Sequence, residues 1–308
     1  MNKRMASFSA ALILLAGCES GGDGATQQPE PVDPVCDSTS VLEGGECLPF
    51  AERIDARATT PFTENGEPVE LEVVLFKPLE GGRFPLLVVN HGSTGNGSDP
   101  SRFGETFVHK PTTRHFVEQG WMVAYPQRRG RGRSDGLYDE GFTPNRSGYS
   151  CEAAIALAGA ERALDDIDAV TDWLRLRDDV DTTRMLISGA SRGGILSIAY
   201  LARRPEVYLG AINFAGGWSS EGCGDFATIN KTLFVDGAAF PGRSLWIYAE
   251  NDSFYSLGHS QQNFDAFTQA GGVGDFEVFR RDPGLNGHFI INDADRWRVI
   301  VDAYIAGL

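Results

Sequence analysis

The stretch that decides the fold is LISGASRGGIL, residues 186–196. An apolar run enters a turn of small residues that holds Ser191, and a second apolar run leaves it. A strand-to-helix turn of this kind projects the serine side chain at a helix N-terminus, where negative charge is stabilised. The bare Gly-x-Ser-x-Gly pattern decides little, because about a few tenths of a match is expected by chance in so glycine-rich a chain.

A second match, GRSDG at residues 132–136, tests how far context can separate the two serines. Ser134 follows RRGRGR, which contains no apolar strand, and precedes DGLYDEGFTP, which lacks helical periodicity. We therefore interpret Ser134 as a loop residue and Ser191 as the nucleophile.

The rest of the chain alternates short apolar runs with segments of helical periodicity from about residue 54 onward. Near-continuous apolar strands separated by helices predict an α/β fold, a doubly wound, mostly parallel sheet with helices on both faces and no large lid domain. The predicted strands are 71–76, 85–90, 121–125, 185–188, 209–214, 244–249 and 276–279. The predicted helices are 113–119, 152–176, 194–202, 261–270 and 293–305.

A serine needs a positioned base, and the chain has five histidines to choose from. His288 lies in the glycine-flanked loop NGHFI after the last predicted strand, where a base at the carboxyl edge of the sheet belongs. His91 at a strand end is interpreted as a loop-bracing group and His259 as a surface residue. His109, in the loop before an earlier predicted helix, and His115, on that helix, are assigned no role.

The acid that orients the base is predicted in LWIYAENDSF, just past the strand 244–249. Asp252 is preferred because it lies further into the loop than Glu250, which remains the alternative. The alternative to a catalytic role, for either carboxylate, is that it caps a helix or lies solvated in the loop.

The oxyanion that forms during acyl transfer needs two backbone N–H donors. One is expected from Arg192, directly after the nucleophile. The second is expected from HGSTGNG, the loop after residues 85–90, where glycines permit close approach. Ser93 is the predicted donor, with Gly92 freeing the backbone beside it.

The sequence resembles the α/β-hydrolase superfamily in four features. These are the order Ser191, Asp252, His288, the strand-to-helix turn (the elbow) at Ser191, the HGSTGNG loop and the RRGRGRSDG loop. Within it the chain is most similar to dienelactone hydrolase-like and prolyl oligopeptidase-like serine hydrolases, over roughly residues 68–308. The resemblance implies that Ser191, Asp252 and His288 form a triad and that Ser93 and Arg192 supply the oxyanion donors. One departure is that true dienelactone hydrolases carry a cysteine nucleophile, and no propeller domain is present.

Two features near the expected site keep alternative interpretations. Trp218, just past the strand 209–214, could bind substrate by lining the pocket or could anchor a loop. A group of arginines could attract an anionic substrate or serve the structure, and the structural interpretation is preferred. These arginines are Arg128, Arg129, Arg131 and Arg133.

The N-terminal region reads as an export signal followed by a tether. Residues 1–17 have a positive start and a short apolar core, which is typical of a secretory signal. Leu15 to Cys18 resembles a bacterial lipobox with Cys18 as the lipidated residue, and Glu19 after it resembles an outer-membrane address. A plain signal peptide with an incidental cysteine is the alternative. Residues 18–35 lack large apolar side chains and predict a flexible tether.

The remaining four cysteines fit an exported protein. The expected pairs are Cys36–Cys47, within a small N-terminal segment at 36–67, and Cys151–Cys223, between two loops of a catalytic domain at 68–308. Free buried thiols are the alternative. No cysteine or histidine spacing suggests a zinc site.

The formal net charge of −15 excludes nucleic acid as an expected partner. The favoured function is a carboxylesterase acting on a small-molecule ester without metal or organic cofactor, held at the membrane by its lipid. The alternatives are a serine peptidase with the same triad and a non-catalytic surface binding protein on a hydrolase scaffold. The oligomeric state stays open.

Overall fold

The computed structural model describes residues 35–43 and 46–308. The predicted signal, the predicted lipidation site Cys18 and the predicted tether as far as residue 34 lie outside these residues. The strands are β1 (Ser40–Glu43), β2 (Glu46–Pro49), β3 (Glu52–Glu64), β4 (Glu67–Lys77), β5 (Phe84–Asn90), β6 (Met122–Pro126), β7 (Val180–Ala190), β8 (Gly210–Phe214), β9 (Arg243–Ala249) and β10 (Val273–Phe279). The helices are α1 (Lys110–Val117), α2 (Ala153–Arg175), α3 (Arg192–Leu201), α4 (Phe226–Asp236), α5 (Leu257–Gln269) and α6 (Ala294–Ala306).

Eight strands form one sheet in the order β10-β9-β8-β7-β5-β6-β4-β3. The pairs from β10 to β6 are parallel, whereas β4 pairs antiparallel with both β6 and β3. Every residue of β5 is buried, as expected for a central strand covered on both faces. The predicted α/β class and the mostly parallel sheet are confirmed.

Helices cover both faces of this sheet. Helices α1 and α6 pack together on one face, and α2, α3, α4 and α5 pack on the other. In α2 the buried side chains include Leu164, Ile167, Val170 and Leu174, which recur at helical spacing in the sequence. All five predicted helices are present, with ends that differ by a few residues.

Strand β3 extends the sheet beyond the predicted domain boundary at residue 68. It pairs with β4 from Glu52 to Glu64, so the sheet begins sixteen residues before that boundary. Its burial alternates, its side chains include charged ones, and Pro61 lies where the register shifts between Thr59 and Thr63. These are the features of an edge strand, which lacks the apolar run of a central one.

Both predicted disulfides are present, and the free-thiol alternative is wrong. Cys36, before β1, is joined to Cys47 in β2, with their Cα atoms 5.4 Å apart. Cys151 and Cys223 join the start of α2 to the loop before α4, with Cα atoms 5.1 Å apart. Two disulfides are typical of a protein that folds in an oxidising compartment outside the cytoplasm.

None of the helices within residues 35–43 and 46–308 combines the length and the apolar character needed to cross a bilayer.

Candidate active site

Ser191 occupies the sharp turn between β7 and α3. Its φ of 56° and ψ of −124° lie in a region that side-chain-bearing residues rarely adopt, at a cost of about 1–3 kcal/mol. The backbone holds it there: Ser191 N donates to Phe214 O at 3.0 Å, and Ser191 O accepts from Gly194 N at 2.9 Å. The strained turn raises a hydroxyl at the N-terminus of α3.

The glycines of the motif are required by close packing under this turn. A Cβ at Gly189 would overlap the Gly193 backbone, and a Cβ at Gly193 would overlap Asn90 O at the end of β5. Strand β5 and the start of α3 therefore approach so closely that neither position admits a side chain.

His288 and Asp252 form a buried pair at the same edge of the sheet. Asp252 follows β9, and His288 lies in a short 3₁₀ helix, Gly287–Asn292, after β10. His288 Nδ1 lies 2.9 Å from Asp252 Oδ2, with the side chains 7% and 1% exposed. Asp252 Oδ1 accepts hydrogen bonds from the backbone N–H groups of Phe254 at 2.7 Å and Tyr255 at 3.0 Å. The alternative acid, Glu250, instead accepts from Arg280 Nε at 2.7 Å.

One aromatic residue, Tyr255, lies between Ser191 and His288, the predicted nucleophile and base. The Tyr255 ring centroid lies 5.4 Å from that of His288, and the Tyr255 phenol lies near the Ser191 side chain. Within the described residues no hydrogen bond joins Ser191 Oγ to His288. Catalytic hydrogen bonds are often long without substrate and shorten in the Michaelis complex.

The loop after β5 reaches Ser191 at Gly92. A Cβ at Gly92 would lie 3.3 Å from Ser191 Cβ and 3.8 Å from Ser191 Oγ, so only a short distance separates this backbone from the reacting atom. Ser93, the predicted donor, follows directly and is half-buried, with its own Oγ donating to Gly95 O at 3.0 Å. The N–H of Arg192 begins α3 on the other side of the serine.

Comparison with known proteins identifies the fold. Residues 110–232, less than half of the chain, match the prolyl oligopeptidase family. A Klebsiella pneumoniae protein assigned as a dienelactone hydrolase has a TM-score of 0.53 at 20% identity, over 83% of this chain and 100% of that one. An esterase from Pyrococcus furiosus has a TM-score of 0.57 at 16% identity, over 83% of this chain and 90% of that one. The chain has the α/β-hydrolase fold.

Longer enzymes share the α/β-hydrolase fold over only part of their length. An acylaminoacyl peptidase from Pyrococcus horikoshii has a TM-score of 0.58 at 16% identity, over 83% of this chain but only 42% of its own. No curated protein matches the sequence. At 16–20% identity, these likenesses show a shared fold.

Trp218 is buried inside the fold and does not line an open pocket. Its side chain is 2% exposed, and its ring lies 4.2 Å from the guanidinium carbon of Arg192. The Tyr149 ring packs against the same guanidinium at 3.6 Å, and Arg192 Nε donates to Trp218 O at 3.0 Å. This placement favours the loop-anchor interpretation of Trp218 over substrate contact.

The surface interpretation of His259 is wrong. The residue is 7% exposed, and its Nε2 accepts hydrogen bonds from Asn230 at 2.9 Å and Asn263 at 3.0 Å. Asn230 Oδ1 in turn accepts from the N–H groups of Trp218 and Ser219 at 2.8 and 3.0 Å. His259 and Asn230 together hold the loop after β8 in place. The only sequence signal for this role is the i,i+4 spacing of His259 and Asn263.

The preferred structural interpretation of the arginine loop fits what is observed. Arg128 is 2% exposed and donates to His91 O and Glu140, while Arg129 pairs with Asp166. Arg133 pairs with Glu72. Arg128, Arg129 and Arg133 are thus each paired with a carboxylate of the protein, and Arg133 remains 62% exposed.

Glu140 connects this loop to the elbow and was missed by the sequence reasoning. It is buried, accepts from Arg128 Nε and lies 3.4 Å from Arg192 Nη1. Burial alone would raise the pKa of Glu140, but the charges of Arg128 and Arg192 outweigh burial and hold that pKa below its usual range. A charged network therefore lies directly beneath the first turn of α3.

His91 braces the loop after β5, as interpreted from the sequence. Its Nε2 accepts from Arg128 N at 3.2 Å, and its Nδ1 lies 2.8 Å from Gly92 O and 3.0 Å from Arg128 Nη2. Burial, reinforced by the charges of Arg128 and Arg131, holds the pKa of His91 well below its usual range. A neutral, enclosed imidazole of this kind is a poor candidate base.

Ser134 lies in the 127–150 loop, as expected. Its hydroxyl donates to Gln127 O at 2.6 Å and accepts from Glu72 N at 2.8 Å.

Within the part of the chain that the structure describes, no cluster of three or more His, Cys, Asp or Glu side chains is arranged as a metal site.

Proposed function

We propose that the protein is a serine hydrolase that cleaves carboxylic esters through an acyl-enzyme. The observation that carries the proposal is the buried Asp252–His288 pair, 2.9 Å apart, at the sheet edge that also carries the strained Ser191 turn. A serine on such a turn, with a carboxylate-oriented imidazole at the same edge, is the arrangement that activates a hydroxyl.

In the proposed mechanism His288 takes the proton of Ser191 as the hydroxyl attacks the ester carbonyl. Asp252 accepts from His288 Nδ1 and keeps Nε2 free as the base, then stabilises the imidazolium that forms. The backbone N–H groups of Arg192 and Ser93 stabilise the oxyanion. The imidazolium returns its proton to the leaving alcohol, and water repeats the sequence to release the acid. No step calls on a metal or an organic cofactor.

The proposal predicts covalent labelling of a single serine. Incubation with a fluorophosphonate probe should label Ser191, identified by mass spectrometry of the tryptic peptide, because only an activated serine displaces fluoride. His288→Ala should abolish the labelling, whereas Ser134→Ala should leave it unchanged. Failure to label Ser191 in folded protein would favour the non-catalytic binding protein.

A peptidase with the same triad is the second candidate, favoured by the match of residues 110–232 to the prolyl oligopeptidase family. An amide leaving group demands tighter substrate positioning than an ester. Turnover of a p-nitrophenyl ester beside the p-nitroanilide of the same acyl group separates the two. We expect hydrolysis of the ester alone at ordinary enzyme concentrations.

We also propose that the enzyme works at the cell envelope, anchored to the outer membrane of a Gram-negative bacterium by lipid on Cys18. The lipobox-like residues before Cys18, Glu19 after it and the two disulfides support this placement. The expected partners are the membrane, through the lipid, and a small-molecule ester, with no nucleic acid.

The anchor predicts a simple fractionation result. In cells that produce the full chain, the protein should sediment with the membranes and move to the soluble fraction in Cys18→Ser, because one residue carries the lipid. Cys36→Ser serves as the matched control and should stay with the membranes. An unchanged distribution of Cys18→Ser contradicts the anchor.

A further inference from the structure

Tyr255 is placed against all three members of the proposed triad. Its backbone N–H donates to Asp252 Oδ1 at 3.0 Å, its ring packs 5.4 Å from the His288 ring, and the phenol end of that ring lies against Gly217, near the Ser191 side chain. The residue is 3% exposed. Nothing in the proposed mechanism so far uses it.

The backbone around Tyr255 is adapted to hold the ring in this position. A Cβ at Gly217 would overlap the Tyr255 ring, so the ring lies directly on that glycine. Gly217 N in turn donates to Ser191 O at 3.2 Å. The phenol is therefore fixed relative to the nucleophile through a rigid glycine contact rather than through a flexible loop.

The strand order shows from which side the phenol reaches Ser191. Strand β7, which carries Ser191, lies between β5 and β8 in the sheet. The Gly92 loop follows β5, whereas Gly217 follows β8 and Asp252 and Tyr255 follow β9. Tyr255 thus approaches the nucleophile from the side of the base, opposite the loop expected to supply an oxyanion donor.

That side is where the leaving group departs. In the tetrahedral intermediate the former carbonyl oxygen faces the N–H donors, and the leaving oxygen faces His288, which protonates it. A donor on the His288 side of Ser191 Oγ meets the leaving oxygen and not the oxyanion. Burial raises the pKa of Tyr255 above its usual range despite the nearby charge of Arg192 and the Ser191 hydroxyl, so the phenol keeps its proton.

We propose that Tyr255 is a further catalytic residue whose hydroxyl donates a hydrogen bond to the leaving-group oxygen; this rests on the esterase function proposed above. As the bond between the carbonyl carbon and the leaving oxygen breaks, its electron pair stays on that oxygen. The proton comes from the His288 imidazolium, and Tyr255 keeps its own. In deacylation the attacking water occupies the same place and meets the same hydroxyl.

The proposal predicts an effect that depends on the leaving group. An alkoxide is strongly basic and needs stabilisation, whereas p-nitrophenolate leaves readily without it. Tyr255→Phe should lower kcat/KM for ethyl butyrate by about 10- to 100-fold, the usual range for a hydrogen bond to a developing charge. For p-nitrophenyl butyrate the loss should stay below about threefold. Because kcat/KM reports acylation only, the deacylation step that both esters share does not obscure the comparison.

Tyr248→Phe is the matched control. Its phenol is also buried, but it donates to Gly216 O at 2.9 Å and accepts from Asn213 at 3.2 Å, away from the reacting atoms. Removal of this hydroxyl should change both esters by the same factor. An equal loss for both esters in Tyr255→Phe, or the same selective loss in Tyr248→Phe, overturns the proposal.

Two further results complete the test. If Tyr255→Phe does not fold, ring-fluorinated tyrosine at position 255 keeps the phenol and makes it a stronger donor. It should raise the ethyl-to-p-nitrophenyl ratio of kcat/KM, and an unchanged ratio overturns the proposal. If the wild-type enzyme cleaves neither ester and Ser191 resists the phosphonate, the esterase function itself fails; wild-type activity with an unchanged ratio rejects Tyr255 alone.

Discussion

Ser191→Ala should lower kcat/KM for p-nitrophenyl butyrate by about 10⁴-fold or more, because the acyl-enzyme can no longer form. Alanine leaves Gly92, the Arg192 N–H and the Asp252–His288 pair in place, so the loss reports chemistry rather than folding. Initial rates with purified wild-type and variant enzyme measure it, and an unchanged thermal unfolding midpoint shows that the variant folds.

Ser134→Ala is the control for this experiment, since Ser134 lies in the other Gly-x-Ser-x-Gly match. Its hydroxyl braces the loop between Gln127 and Glu72, so its loss should affect stability modestly and activity little. Activity that survives in Ser191→Ala and disappears in Ser134→Ala would falsify the assignment of the nucleophile.

Asp252→Asn should lower kcat by about 10⁴-fold while the fold is retained. The amide oxygen of the variant can still accept from the Phe254 and Tyr255 N–H groups, so the amide nitrogen must face His288 Nδ1 in place of the carboxylate oxygen. An amide donor there forces the proton onto Nε2, and the imidazole then no longer accepts the Ser191 proton. Steady-state kinetics with a p-nitrophenyl ester measure the loss.

Glu250→Gln tests the alternative acid directly. The Glu250 carboxylate accepts from Arg280 on the surface and, among the described residues, makes no hydrogen bond with His288, so this variant should keep nearly full activity. A large loss in Glu250→Gln together with an active Asp252→Asn would reverse the two assignments.

Much of the fold could be predicted from the sequence because its central elements are locally encoded. Strands β5 and β7 are apolar runs, and α2 repeats Leu and Val at helical spacing, so each element is visible within a short window. Strand β3 was not predicted, because an edge strand needs only one buried face and carries charged residues on the other. Helix α4 was not predicted, because FATINKTLFVD contains β-branched residues with weak helix preference.

The candidate site divides in the same way. Ser191, Asp252 and His288 each follow a predicted strand, and the ends of parallel strands meet at one edge of the sheet, so sequence order alone placed them together. The sequence favoured Asp252 over Glu250 only through its position further into the loop. The difference in burial, with the Asp252 side chain 1% exposed and that of Glu250 38% exposed, is seen only in the structure.

The sequence by itself predicted the strand–turn–helix at Ser191, the order of the proposed triad and the two disulfide pairs. Only the tertiary structure decided that Tyr255 lies on Gly217 beside the nucleophile and that Glu140 joins Arg128 to Arg192. The physical reason is the separation along the chain over which each kind of interaction acts. Periodicity and turn chemistry act between residues a few positions apart, whereas a buried contact between loops depends on how the whole sheet brings their ends together.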